Sequence, residues 1–112
     1  MNNVRAGYGL PRLHSSHRLA RAADAHSADM ARTKTLSHGA FASRVRRYVD
    51  SRLIGENLAW LSRCNAGRVV RMWLDSTAHR RIMLSRGFKR VGVARRAGSG
   101  NCFVTADFAS KR

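Results

Sequence analysis

Helical spacing through the first two thirds of the chain, then two alternating apolar segments joined by a Gly-rich link, predict an α+β layered domain closed by a C-terminal antiparallel hairpin. A chain of 112 residues supplies one core and not two, so the expectation is a single domain over residues 1–112. Every motif must then share that core.

The elements follow in order. Gly7, Gly9 and Pro11 interrupt any helix begun at Asn2 and make residues 7–14 a turn-rich link. Ser15 or Ser16 can cap the next helix, in which Leu19, Ala23, His26 and Met30 recur at spacings of four, three and four; it should run to about Thr33. Residues 34–39 lack periodicity, which places His38 in a loop or at a helix start. Phe41, Val45, Tyr48 and Val49 mark a short basic helix, with Arg44, Arg46 and Arg47 expected on its solvated side. Gly55 breaks the helical pattern, and the stretch from Ile54 to Leu61 reads as extended and carries Glu56, Asn57 and Trp60. Asn65 can cap a helix whose apolar stripe is Val69, Val70, Trp73 and Leu74 and which ends near Ser76; a further turn or two covers His79 to Leu84. Val91 and Val93 alternate with Gly92 and Ala94, as Cys102, Val104, Ala106 and Phe108 alternate with Phe103, Thr105 and Asp107. The link Ala97-Gly98-Ser99-Gly100 joins the two segments into a hairpin.

Charge is the strongest compositional signal. Lys and Arg number 22 against 6 Asp and Glu, a formal net charge of +16. Such a surface attracts anionic lipid, acidic cell-wall polymer or other polyanions, nucleic acid included. The excess of Arg over Lys also fits GC-rich codon usage, which leaves the shortage of acids unexplained. No RRM, KH or zinc-finger signature is present, which argues against sequence-specific nucleic-acid binding. No apolar run is long enough to span a bilayer, and no n-region followed by an h-region opens the chain, so a leader removed upstream is expected. Cys64 and Cys102 are the only cysteines; the count permits one disulfide or two buried thiols, and the spacing matches no metal signature.

Gly55-Glu56-Asn57-Leu58-Ala59-Trp60, then Trp73-Leu74-Asp75-Ser76-Thr77-Ala78-His79-Arg80, then Val91-Gly92-Val93 and Phe103-Val104-Thr105-Ala106-Asp107-Phe108 together resemble the CAP superfamily of cysteine-rich secretory, antigen 5 and pathogenesis-related proteins. The compact form resembles its bacterial SCP-like branch. Asn2 to Arg5, Gly9-Leu10, Leu13, Asp29-Met30 and Ser37-His38 fit the same pattern, so the likeness covers nearly the whole chain. It implies a three-layer α-β-α sandwich, a secreted or envelope-associated location, and a disulfide between Cys64 and Cys102. It also implies a cleft lined by two His and two acids, in some members around a divalent metal. Residue by residue, His38 matches the first His, Glu56 the Glu of the GENL element and His79 the second His of the bacterial branch. The fourth place departs, since Ser76 stands where larger members have Glu, with Asp75 beside it.

Chemically, two neutral imidazoles would leave a divalent ion such as zinc with open positions, and Glu56 would serve as ligand, as outer-sphere partner or as base. The bland alternatives are a Glu56 that holds backbone N–H groups of the following turn and a His79 bonded to Glu56. Ser76 and His79, three apart on a helix, invite a Ser–His nucleophile, but no nucleophile elbow accompanies them and a capping Ser76 is simpler. His14 and His17 read as surface residues and His26 as core-facing, while Trp60 and Trp73 read as core or cleft wall. The leading functional expectation is a non-catalytic binding module with a cleft of His38, Glu56, Ser76 and His79, taking an apolar small ligand and presenting a basic surface. Two alternatives stand beside it: a metal-assisted hydrolase using His38, His79 and Glu56, and a charge-driven polyanion or nucleic-acid binder.

Overall fold

The computed structural model describes residues 1–98 and 100–111. Its elements are α1 (Asn2–Gly7), β1 (His14–Ser15), α2 (His17–Thr33), α3 (Phe41–Arg46), β2 (Ile54–Leu61), α4 (Ala66–Asp75), α5 (Thr77–Met83), β3 (Arg90–Gly98) and β4 (Asn101–Ala109). The strands form one mixed sheet in the order β1-β3-β4-β2, antiparallel except for the β1–β3 pair.

The period-two alternation of β4 sorts its side chains between two helical layers. Cys102, Val104, Ala106 and Phe108 join Val69 and Trp73 of α4, Met83 of α5 and Leu13 on one face, with Met1 and Val4 packed against them. Phe103 and Ala109 look the other way: Phe103 meets Met30 of α2 and Leu58 of β2, and Ala109 meets Leu19 of α2 and Val45 of α3. The result is an α-β-α sandwich.

The caps explain the helix starts. The Ser16 hydroxyl accepts from Leu19 N–H, and the Asn65 side-chain oxygen accepts from Arg68 N–H. Helix α2 ends at Lys34, which adopts a left-handed φ of 53° and turns the chain into the loop that bears His38. Arg5 is buried and ties α1 to the loops at either side, its guanidinium donating to the carbonyls of Pro11, Met83 and Ser85.

Three local readings need correction. The link at residues 7–14 ends in β1, a strand of two residues too short to show alternation but bonded in register to Arg90 and Val91. The hairpin link is shorter than read, since Ala97 and Gly98 pair with Cys102 and Asn101; Gly100, at φ +77°, supplies the turn, and Ser99 lies outside the described residues. Helix α3 stops at Arg46, although Tyr48 and Val49 N–H still bond the Val45 carbonyl. One glycine is dictated by packing: α2 crosses β3 so closely that a β-carbon at Gly92 would overlap the backbone of Leu19 and Ala20.

Candidate functional site

His38 and His79 come from opposite helical layers. The first follows α2 and the second lies on α5, and both line one depression of about 440 Å³ whose floor is Leu58, Ala59 and Trp60 of β2. Ser76 also lines it. Leu36 (46 % exposed), Trp60 (51 %) and Met72 (42 %) give it an apolar rim, three of the six large hydrophobic side chains that the described residues leave exposed.

Two contacts hold the His38 loop. His26, buried on α2, donates Nε2–H to the Ser37 carbonyl at 2.6 Å, and Arg44 Nη2 donates to the His38 carbonyl at 2.8 Å. Burial lowers the His26 pKa, with the Arg44 charge adding to it, so the ring is neutral at neutral pH. His38 itself donates Nδ1–H to Glu56 Oε1 at 2.8 Å. That bond fixes the tautomer and leaves the Nε2 lone pair free. His79 Nδ1 lies 2.7 Å from Ser76 Oγ, and its carbonyl accepts from Asn57 Nδ2 at 3.0 Å. Its pKa is lowered by burial and then by the nearby His38, so it too stays neutral at neutral pH.

Beneath His38 sits a buried ionic cluster. Arg44 Nη2 donates to both oxygens of Glu56, at 2.8 and 2.9 Å, and Arg44 Nη1 is 4.0 Å from Asp107 Oδ2. Glu56 faces Asp107 directly across the β2–β4 pair. Burial pushes the Glu56 carboxyl up, but hydrogen bonds from Asp107, His38 and Arg44, together with the Arg44 charge, outweigh it and hold it below the ordinary value. Asp107 goes the other way. Burial first, then the adjacent Glu56, push it up to about 9 against the opposing pull of Arg44. Written as a carboxylate, Asp107 would bury two oxygens without a donor. A proton kept on one Asp107 oxygen and shared with Glu56 gives that oxygen a partner and spares the site a second buried charge.

The geometry revises several sequence readings. Glu56 holds side chains, not the backbone of the following turn, and His79 bonds Ser76, not Glu56. Ser76 ends α4 and starts α5, but its hydroxyl reaches His79 in place of a backbone N–H. Arg44 is no solvated residue: its side chain is 15 % exposed because the buried Glu56 carboxylate draws it inward. Neither Arg44 nor Asp107 was legible as part of this cluster. Alternation set Asp107 on the phase of Phe103 and Thr105, opposite Cys102, Val104, Ala106 and Phe108, and so gave no signal that this acid is buried. The sulfurs of Cys64 and Cys102 are bonded to each other, tying the start of α4 to β4. Among the described residues no group of three or more His, Cys, Asp or Glu is placed to hold a metal ion.

Comparison defines the class. The profile of the cysteine-rich secretory protein family, CAP, matches residues 1–108, and the chain belongs to that family. It is 31 % identical over 98 residues to an uncharacterized membrane protein, YlbC, of Bacillus subtilis strain 168, a match over 82 % of this chain and 28 % of that protein. Superposition gives a TM-score of 0.87 to an extracellular protein containing an SCP domain from Bacillus anthracis, at 30 % identity over 98 % of this chain and 37 % of that one. The fold is shared with an outer surface protein of Borrelia burgdorferi, at a TM-score of 0.88, 21 % identity, 99 % of this chain and 86 % of that one. The chain thus spans about a third of the Bacillus proteins it matches.

Proposed function

We propose that this CAP domain is a non-catalytic binding module of the bacterial envelope or extracellular space, and that its ligand enters the depression between His38 and His79. One observation carries the reading. Glu56, the carboxylate best placed to act as a base, is consumed by Arg44 and His38 and held below the ordinary carboxyl pKa, while Asp107 is sealed from solvent. A general base needs a free lone pair within reach of the substrate, and Glu56 has none to offer; what faces the depression is two imidazole nitrogens and apolar walls. The names of the relatives and the disulfide support an oxidising, extracytoplasmic location.

A divalent ion fits this donor set as a weakly held guest. The Nε2 atoms of His38 and His79 would hold it, and the Glu56–His38 bond supplies the carboxylate behind a ligating imidazole that such sites use. When bound, it would supply Lewis acidity. A second hollow of about 350 Å³, lined by Val69, Val70, Val93 and Val104 beside Cys64, supports an apolar small ligand. The charge of +16 supports salt-sensitive contact with anionic lipid or wall polymer on the outer faces.

Zinc titration of tag-free protein, followed through the imidazole resonances, tests the site. Binding is expected at His38 and His79, lost in His38→Ala, kept in Glu56→Gln and weakened on acidification as protons compete for the nitrogens. Hydrolysis of an ester, amide or phosphodiester by the zinc-loaded protein, abolished in a folded Glu56→Gln variant, would overturn the non-catalytic reading.

A further inference from the structure

The floor of the depression is a strand edge. Among the described residues strand β2 pairs on one side only, with β4. Ser110 N–H bonds the Leu53 carbonyl at 3.0 Å, so Leu53 turns its backbone groups toward β4, and with it every second residue: Gly55, Asn57, Ala59 and Leu61. Ile54, Glu56, Leu58 and Trp60 therefore turn theirs outward. An independent contact agrees, since Trp73 Nε1–H, arriving from the open side, bonds the Leu58 carbonyl at 2.9 Å. That indole fills one of the outward groups. Among the described residues, none donates to or accepts from the Leu58 N–H or the Trp60 N–H and C=O. Leu58 is buried and Trp60 exposed, so these groups form an unpaired strand edge open to a partner.

We propose that the cleft binds an extended peptide, which adds a short strand to the free edge of β2 at Leu58–Trp60. This names the ligand class for the binding reading above and rests on it. The chemistry that matches an outward N–H, N–H and C=O at strand spacing is another peptide backbone. Its side chains would alternate between the Trp60–Leu36 side and the Met72 side, both apolar. Trp60 is held ready for this, stacked on Phe103 at 5.8 Å with its indole N–H on Asn101 Oδ1 at 2.9 Å. Charge selects the flanks. Among the described residues no acid lines the depression, and the chain carries +16, so a peptide with apolar centre and acidic ends is favoured. The same charge disfavours a second copy on this edge, because two such chains repel.

The probe is the blocked peptide acetyl-Asp-Val-Thr-Val-Asp-amide, added to 15N-labelled protein. At saturation, exchange of the Leu58 and Trp60 amides should slow at least about fivefold, while the Ala59 and Leu61 amides, already bonded to β4, stay unchanged. Methylating the three central peptide nitrogens should weaken binding by at least about tenfold, and exchanging Asp for Lys should weaken it further at low salt. Equal binding of the methylated peptide, or unmoved Leu58 and Trp60 amides, would overturn the proposal. So would protection of those amides that rises with protein concentration alone, which would assign the edge to a second copy. Zinc reports on the imidazoles and not on these amides, so failure of the strand addition and failure of the binding site read out separately.

Discussion

Asp107→Asn isolates the proton that the buried cluster is inferred to keep. In the folded chain Asp107 is pushed up to about 9, from an ordinary value of 3.8 that the unfolded chain retains. Between these values the folded state holds a proton that the unfolded state has lost, so this group's contribution to stability falls as pH rises. The slope is about 1.4 kcal/mol per pH unit, on the order of 4 kcal/mol between pH 5 and pH 8. Asparagine presents a neutral N–H donor to Glu56 at every pH and removes the dependence. Glu56 has the opposite sign: its lowered pKa stabilises the fold above the ordinary carboxyl range and the benefit is lost as pH falls through it, below this window and in both proteins. Urea unfolding with the disulfide intact, repeated across pH, should show the two proteins close at pH 5 and the native sequence progressively weaker toward pH 8. Parallel curves over that range, or a variant weaker at pH 8, would refute the protonated Asp107.

Three further perturbations test the scaffold. Arg44→Met leaves the Glu56 charge buried without its partner and should cost about 3–5 kcal/mol in urea unfolding; Arg44→Lys should recover only part, because a single ammonium nitrogen can serve Glu56 but cannot also set a second nitrogen toward Asp107. Gly92→Ala should lower stability by at least about 3 kcal/mol, since helix backbone, not a mobile side chain, meets the new β-carbon; an unchanged melting temperature would refute the tight α2–β3 crossing. Replacing both Cys64 and Cys102 by Ser opens a loop of 38 residues and should cost about 4 kcal/mol, read as a lower urea midpoint with a steeper slope, because the unfolded chain expands once the loop is released.

The sequence by itself determined the elements other than β1, and their order, because each of these rests on local rules. Ser16 and Asn65 announce the starts of α2 and α4, the spacing of Leu19, Ala23, His26 and Met30 marks the buried face of α2, and alternation marks β3 and β4. The quoted motifs sufficed for the family, and through it for the pairing of Cys64 with Cys102. Tertiary structure alone decided what touches what. Arg44 looks solvent-facing on its own helix, and only the arrival of β2 and β4 beneath α3 turns it onto Glu56 and toward Asp107. Strand β1 exists because β3 offers it a ladder, not because two residues have a pattern. The open edge of β2 was equally invisible, since which strand lies outermost is set by the sheet order β1-β3-β4-β2, a long-range choice that no local spacing encodes. Local propensity writes the elements; the desolvation of charges and the satisfaction of backbone groups, which depend on neighbours distant in sequence, decide the site.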